Sequence, residues 1–459
     1  KADVSGNDLL QTWEVDPHVR TILLYLESFG NPRRFARIAR RVSRRKPIVA
    51  VKGGRTAPDA GVDLATSALF MQTGVIRVDT LQEMFDLAAA ISEQPLPRGD
   101  RVGIITNAGG PAILCTDMCI RNGLRVPPLS AATREHLAER LPPTARVGNP
   151  VDMVGSAGPD QFREAVQTLL VDDDIDSLIV SYAAIGIVDS PAIATAIGDG
   201  VEAARAAGGD GKPVLVNLLP EAGRSLRVHA GAESLPGYAF PEEAATVLGR
   251  MTAYADWQRR PPGVVMEYGD VDPAAARSGC RTALAERGAG WLTTGETAEV
   301  LGGFGLPVAE SCLVHDPDAA VQAADRLGYP VVVKLASHRI VHKTERGGVQ
   351  IDLRSEEEVR RAFAQVSAIY DEEGGADPLE GVLIQRLVDE AVELRIGVTD
   401  DPQFGPLVAF GLGGMHTELL ADMCYRVTPL TDADADEMIR NVRGYQLLQG
   451  YRGHDPADI

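Results

Sequence analysis

The sequence predicts an α/β protein made of two doubly wound modules followed by a third module with its own strand pattern. Three observations carry that prediction. Short apolar, β-branched runs alternate with helical text, which favours parallel sheets over sandwiches or bundles. At 459 residues the chain exceeds the roughly 250–300 residues beyond which a single core divides. Turn-rich stretches at Pro95–Gly99 and Arg259–Gly263 separate three blocks of such text.

In the first block Thr21–Leu26 reads as a strand, closed by Glu27-Ser28-Phe29-Gly30-Asn31-Pro32, and basic helical text runs from Arg33 to Arg45. A strand at Pro47–Lys52, a loop at Gly53–Gly61, a helix at Leu64–Met71, a short strand at Val75–Arg77 and an amphipathic helix at Leu81–Ile91 follow. The second block opens with strand Arg101–Thr106, the turn Asn107-Ala108-Gly109-Gly110-Pro111 and a helix to Asn122. Asn149-Pro150-Val151-Asp152-Met153 reads as a structural turn, and further strands fall at Asp176–Tyr182 and Pro213–Leu218. The third block begins with helical text at Thr294–Phe304, helix Pro317–Leu327, strand Val331–Lys334 and extended text at Gly347–Leu353. Helix Glu356–Ile369 and strands at Gly381–Arg386, Glu393–Val398 and Gly405–Gly411 complete it.

Charge narrows the range of partners. With 64 acidic against 45 basic residues the net charge is −19, which disfavours nucleic acid, since phosphate-backbone binding needs dense Lys and Arg. A small phosphorylated ligand stays compatible, because a few local donors in a pocket hold it. The five cysteines include Cys115 and Cys119, which lack Cys-x-x-Cys spacing and have no second pair. They read as free, mostly buried thiols in a reducing compartment. No apolar run approaches the ~18–20 residues of a membrane span and no signal peptide is visible, so a cytoplasmic location without a membrane partner is expected. The chain starts at Lys1 rather than Met and stops abruptly at Ile459; part of a longer protein is expected.

The third block carries the most specific chemistry. Lys334 ends an apolar strand, where its ammonium would meet phosphate oxygens while its stem packs. Val341-His342-Lys343-Thr344-Glu345-Arg346-Gly347-Gly348-Val349 sets an imidazole and a lysine before paired glycines. A Gly-Gly turn exposes backbone N–H groups that suit a polyphosphate, and a histidine there is a candidate phosphoryl acceptor. Leu383-Ile384-Gln385-Arg386-Leu387-Val388, Glu393-Leu394-Arg395-Ile396-Gly397-Val398, Asp401-Pro402-Gln403-Phe404-Gly405-Pro406 and Gly411-Leu412-Gly413-Gly414 follow, then Glu418 and Asp422.

That series resembles the ATP-grasp half of the NDP-forming acyl-CoA synthetases, relatives of succinyl-CoA synthetase. The first two blocks resemble the same family through Leu24–Pro32 and Thr106–Pro111, so the implied fold is two flavodoxin-like, succinyl-CoA synthetase-like domains followed by an ATP-grasp domain. The expected boundaries are 1–95, 96–262 and 288–459, the last incomplete at its C-terminus. By resemblance, Lys334 and Lys343 would contact nucleotide phosphates, and Gly347 with Gly348 would form the lid over them. Gln385 to Leu387 would be the hinge that reads adenine, Glu393 would lie near the ribose and Glu418 would organise the nucleotide end. His342 would carry the phosphoryl group between active centres. Glu27 would support a phosphohistidine by a hydrogen bond, and Asn107, Gly109 and Gly110 would present helix-start donors to it. The resemblance implies ATP or ADP, Mg²⁺ held by a strand after Ile459, CoA, a small acetate-like carboxylic acid, and a homo-oligomer.

One departure stands out. The family carries Ser-His-Thr-Gly-Ala-Leu after the strand that matches Pro47–Lys52, and its histidine is the primary phosphoryl acceptor. Here Arg55–Gly61 runs straight into Val62-Asp63-Leu64. Either that loop belongs between Gly61 and Val62 and is missing from this sequence, or the protein lacks it. The first reading leads to an acid–CoA ligase. The second leads to an acyl-CoA-sensing regulatory region of a protein acetyltransferase. A biotin-carboxylase-like ligase is a third reading, disfavoured because that class has no counterpart of Glu27 with Asn107–Pro111.

Overall fold

The computed structural model describes residues 4–52, 60–184, 190–209, 211–219, 228–336, 347–372, 381–388, 391–414, 422–451 and 455–459. Two compact units divide it, one of 1–265 with 394–446 and the other of 266–393 with 447–459.

In the larger unit, β1 (Ile22–Leu26), β2 (Ile48–Lys52) and β3 (Ile76–Val78) form a parallel sheet in sequence order. Helices α1 (Gly6–Val15), α2 (Pro32–Ser43), α3 (Ala60–Thr73) and α4 (Leu81–Glu93) accompany it. Local chemistry sets their ends. The Asn31 side chain accepts the Arg34 N–H and Pro32 takes the first turn of α2, where its missing N–H costs nothing; Thr80 caps α4 in the same way. Helix α3 runs unbroken through Gly61 and Val62, so the loop expected over Gly53–Gly61 gives way to helix at Ala60 and Gly61, and its residues 53–59 lie outside the described residues.

The second sheet has the order β11-β8-β7-β4-β6-β5, from β4 (Val102–Thr106), β5 (Arg146–Val147), β6 (Val151–Asp152), β7 (Ser177–Ala183), β8 (Val214–Leu219) and β11 (Gly237–Tyr238). All neighbours pair in parallel except β5 with β6. A hairpin, β9 (Val228–Ala230) with β10 (Glu233–Leu235), stands apart. Helices α5 (Gly109–Arg121), α6 (Ala131–Arg140), α7 (Pro159–Val171), α8 (Ser190–Ala206) and α9 (Pro241–Arg259) cover the two faces. The central strands are apolar throughout, as a sheet buried on both faces requires: Leu178, Ile179, Val180, Val214, Leu215 and Val216 have no exposure.

The smaller unit begins with α10 (Pro273–Arg287) and α11 (Thr294–Gly303). The sequence reading left 264–293 without an element, although Asp272 caps α10 by accepting the Ala274 and Ala275 N–H groups. An antiparallel sheet follows in the order β12-β15-β13-β14, from β12 (Ser311–Val314), β13 (Val331–Ala336), β14 (Val349–Leu353) and β15 (Gly381–Arg386). Val331, Val333, Leu335, Val382 and Ile384 pack with α12 (Pro317–Leu327) and α13 (Glu356–Glu372) in one core. By the two-residue period of a strand, Val332, Lys334, Leu383 and Gln385 lie on the opposite face.

The segment 394–446 forms β16 (Leu394–Asp401), β17 (Gly405–Leu412), β18 (Met423–Val427) and α14 (Asp432–Asn441). Its text reads as continuous with 288–393, yet it packs with 1–265. Phe404 is fully buried and meets Phe29 edge-on at 5.4 Å, in a cluster with Phe35 and Phe70. The buried Gln72 amide pairs with both backbone groups of Val427, its Oε1 accepting the N–H at 2.8 Å and its Nε2 donating to the carbonyl at 3.1 Å.

Candidate functional site

The turn after β4 is built from the strand outward. Thr106 Oγ1 accepts the Ala108 N–H at 3.1 Å and folds the chain over the strand end. Asn107, 3% exposed, donates from Nδ2 to the Ala183 carbonyl at 2.9 Å and accepts the Ala183 N–H at 2.8 Å. Its side chain therefore ties the end of β4 to the end of β7 and is occupied. Helix α5 then starts at Gly109, with Ala108 at the cap position and no side-chain cap. Gly109 and Gly110 are exposed, so their N–H groups are first-turn donors at the positive end of a helix. A side chain on Gly110 would meet open space, and one on Gly109 would come 3.4 Å from Asp152 Oδ2. Asn149 is structural: its amide donates to the Val102 and Pro127 carbonyls and accepts the Ile104 N–H. Deeper in α5, the Cys115 thiol is held neutral, its pKa pushed up first by a hydrogen bond with Cys119 and then by burial.

Glu27 follows β1 and is exposed. Its backbone carbonyl accepts from Lys52 Nζ at 2.8 Å, across the β1–β2 pair. Lys52 ends the apolar strand β2, whereas β13 continues past Lys334, expected at the strand end, to Ala336. The described contacts do not join Glu27 to Asn107–Gly110, which belong to a different sheet.

In the smaller unit Lys334 and Gln385 come together. Lys334 sits opposite Leu383 in the β13–β15 ladder, with Gln385 two residues further along the same face, and its Nζ donates to Gln385 Oε1. Opposite Lys334 on the other side is Val349, the residue that immediately follows the glycine pair. Gly347 has φ +75°, a left-handed conformation that suits glycine. Gly348 returns its carbonyl to the Leu335 N–H at 2.9 Å, so the glycine turn is fixed beside the strand of Lys334.

At the segment expected to form the hinge, two backbone amides are already bonded. The Arg386 N–H donates to the Glu310 carbonyl at 3.2 Å and the Leu387 N–H to Pro330 at 3.0 Å. Both amides serve the sheet edge, which leaves carbonyls and side chains, rather than these N–H groups, to meet a ligand. Glu393 is exposed at the end of this stretch. His342, Lys343 and Glu418 lie outside the described residues. His136 is half-exposed and bonds Glu164 at 2.7 Å.

Three family models match the chain in order. A succinyl-CoA ligase like flavodoxin domain covers 1–91, a Ligase-CoA domain 102–259 and an ATP-grasp domain 282–459. The beta subunit of acetate–CoA ligase (ADP-forming) I from Pyrococcus furiosus is 40% identical over 168 residues, which is 37% of this chain and 72% of that subunit. The chain belongs to the NDP-forming acyl-CoA synthetase family. Members similar over all of its length include 4-hydroxybutyrate–CoA ligase (ADP-forming) of Nitrosopumilus maritimus, 33% identical over 473 residues. Acetate–CoA ligase (ADP-forming) I of Archaeoglobus fulgidus is 31% identical over 475. The chain spans 66% of the length of each of these two synthetases. Among solved structures, the apo form of the dinucleotide forming acetyl-coenzyme A synthetase 1 of Ca. Korarchaeum cryptofilum matches with a TM-score of 0.50 and 28% identity, over 56% of this chain and 57% of that one. The family's α/β architecture of flavodoxin-like domains followed by an ATP-grasp domain is thus the architecture of this chain.

Proposed function

We propose that the protein of which this chain is part is an ADP-forming acid–CoA ligase, interconverting acyl-CoA, ADP and phosphate with a carboxylic acid, CoA and ATP. The observation that carries the proposal is the meeting of Lys334 and Gln385 on the face of a sheet whose other face is filled by α12 and α13, beside the Gly347–Gly348 turn. Such a face offers a cation and backbone donors to a polyphosphate. In the acid-activating direction the bond between the γ-phosphorus of ATP and its bridging oxygen breaks and a P–N bond forms on an imidazole, releasing ADP. A carboxylate oxygen then takes the phosphoryl group as an acyl phosphate. The CoA thiol, losing its proton, attacks the acyl carbon and phosphate leaves. His342 is the proposed carrier of the phosphoryl group between active centres, the role the resemblance implies for it, with the primary acceptor the histidine of the family's loop that would belong between Gly61 and Val62. The N–H groups of Gly109 and Gly110 are the proposed anchor for the phosphorylated ring, with Glu27 as its supporting acceptor. Lys343, Glu393 and Glu418 keep the nucleotide roles that the resemblance implies.

Mg²⁺ is expected with the nucleotide. No three His, Cys, Asp or Glu side chains among the described residues converge to hold an ion, so no step is assigned to it. A small acetate-like acid, self-association and a cytoplasmic location belong to the same proposal. The relatives named above are ligases, and no observation favours the acyl-CoA-sensing alternative. The test is a screen of small carboxylic acids with the full-length protein. Sustained ADP release, beyond the one equivalent that phosphorylation of the protein yields, that requires acid and CoA together is the expected result; sustained release independent of both, or none with any acid, would reject the reading.

A further inference from the structure

A cavity of about 380 Å³ is lined by residues of the larger unit, none of which belongs to either constellation described above. Arg37, Arg40, Arg41 and Arg44 line it from one face of α2 and its C-cap, at the three- and four-residue spacing that aligns helical side chains. Arg260 and Trp257 complete the wall, and Asp434 and Glu437 of α14 are the acids among the described lining residues. Five lining guanidinium groups thus face these two carboxylates and Glu14, which engages Arg41 from outside the lining, in a chain whose net charge is −19. The volume falls in the range of about 300–1,000 Å³ typical of small-molecule sites.

Those two acids are already engaged. Asp434 accepts the Thr431 N–H at 2.9 Å and hydroxyl at 2.8 Å before it meets Arg40 at 3.3 Å. Glu437 divides its oxygens between Arg260 at 2.8 Å and Arg426 at 3.0 Å, the latter 2% exposed. Arg41 turns to Glu14, and Arg44 donates to the Gln258 and Arg260 carbonyls while its guanidinium lies 4.3 Å over the Trp257 ring. Arg37 is exposed, and no described hydrogen bond or ion pair engages it. Burial, and after it the charge of Arg40, lowers the proton affinity of Arg44, as expected where like charges crowd. The negative end of the α2 dipole favours Arg40, Arg41 and Arg44; it does not account for Arg37, a turn further back, or for Arg260.

We propose that this cavity is a second anion site, one that takes a small polyphosphate anion and is independent of the face carrying Lys334. Guanidinium forks match phosphate oxygens in pairs, and the excess of cations on the lining is what such a ligand neutralises. The walls come from α2, the end of α9 and α14, so an occupant would clamp 432–441 to the first module.

Inorganic pyrophosphate is the probe, titrated calorimetrically into the full-length protein and into Arg37→Ala, Arg260→Ala and Lys334→Ala. The expected result is saturable binding that weakens about tenfold in Arg37→Ala and in Arg260→Ala, the loss of one charge-assisted contact, and stays unchanged in Lys334→Ala. ADP titrated in parallel should show the reverse pattern, so a failure at the nucleotide face is read separately. No pyrophosphate binding by the parent protein, an affinity unchanged from the parent's in both arginine variants, or loss only in Lys334→Ala would each overturn the proposal.

Discussion

At the turn after β4 the Asn107 side chain is taken up by the fold, while the backbone donors that follow it stay exposed. At the end of β15 the division is reversed. There the Arg386 and Leu387 amides serve the sheet edge, and the side chains of Lys334 and Gln385 stand out from the face. Under the proposed function, the difference teaches two ways of meeting phosphorus. A helix start presents fixed dipoles and carries no full charge, which suits a group that must arrive and leave. A lysine on a strand brings a full charge, suited to holding a nucleotide.

Phe404→Ala should have the largest effect and would sharpen the comparison from outside it. It empties the aromatic cluster that fastens 394–446 to the first module, at a cost of about 3–5 kcal/mol, measured by chemical denaturation. Asn107→Ala comes next. Removing the amide strands the N–H and carbonyl of Ala183, and about 2–4 kcal/mol of stability should be lost; a loss under about 0.5 kcal/mol would break the claim that this side chain is structural. Lys334→Ala should weaken ADP binding about tenfold or more, the worth of a charge-assisted contact, while the melting temperature barely moves. Unaltered affinity by calorimetry would remove Lys334 from the nucleotide face. Gly110→Ala is the smallest in stability, within about 0.5 kcal/mol, because the new methyl meets nothing. Covalent labelling by ATP should fall in this variant if the turn receives a phosphorylated ring.

Elements with strong local signals could be read from the sequence to the residue. Helix Pro317–Leu327, with Asp316 at its cap and Pro317 in its first turn, and strand Gly381–Arg386 fall where their patterns end. The two-residue strands β5 and β6 and the β9–β10 hairpin could not be read that way, since such short pieces are defined by their partners and not by periodicity. Helix α10 had a legible start, Asp272-Pro273, hidden in text otherwise like a linker. The fate of Asp401–Pro406 was beyond local reading. The motif promised an ATP-grasp position, while the burial of Phe404 depends on Phe29, Phe35 and Phe70 in the first module. At the candidate site, Lys334 was legible as a cation on an apolar strand, though β13 runs on to Ala336. Its contact with Gln385 was not, because antiparallel register decides it. Asn107 drew attention as a ligand-turn residue, and only the position of β7 reveals that its amide is committed. The roles of His342, Lys343 and Glu418 still rest on sequence alone.

The account depends on a phosphoryl group resting on a protein imidazole between ATP and the acid. Incubating the full-length protein with γ-labelled ATP and counting acid-labile, alkali-stable label tests it most directly. The predicted result is stoichiometric label that His342→Ala diminishes and that CoA with a suitable acid discharges. A protein that turns over no ATP and retains no covalent phosphorus would contradict it.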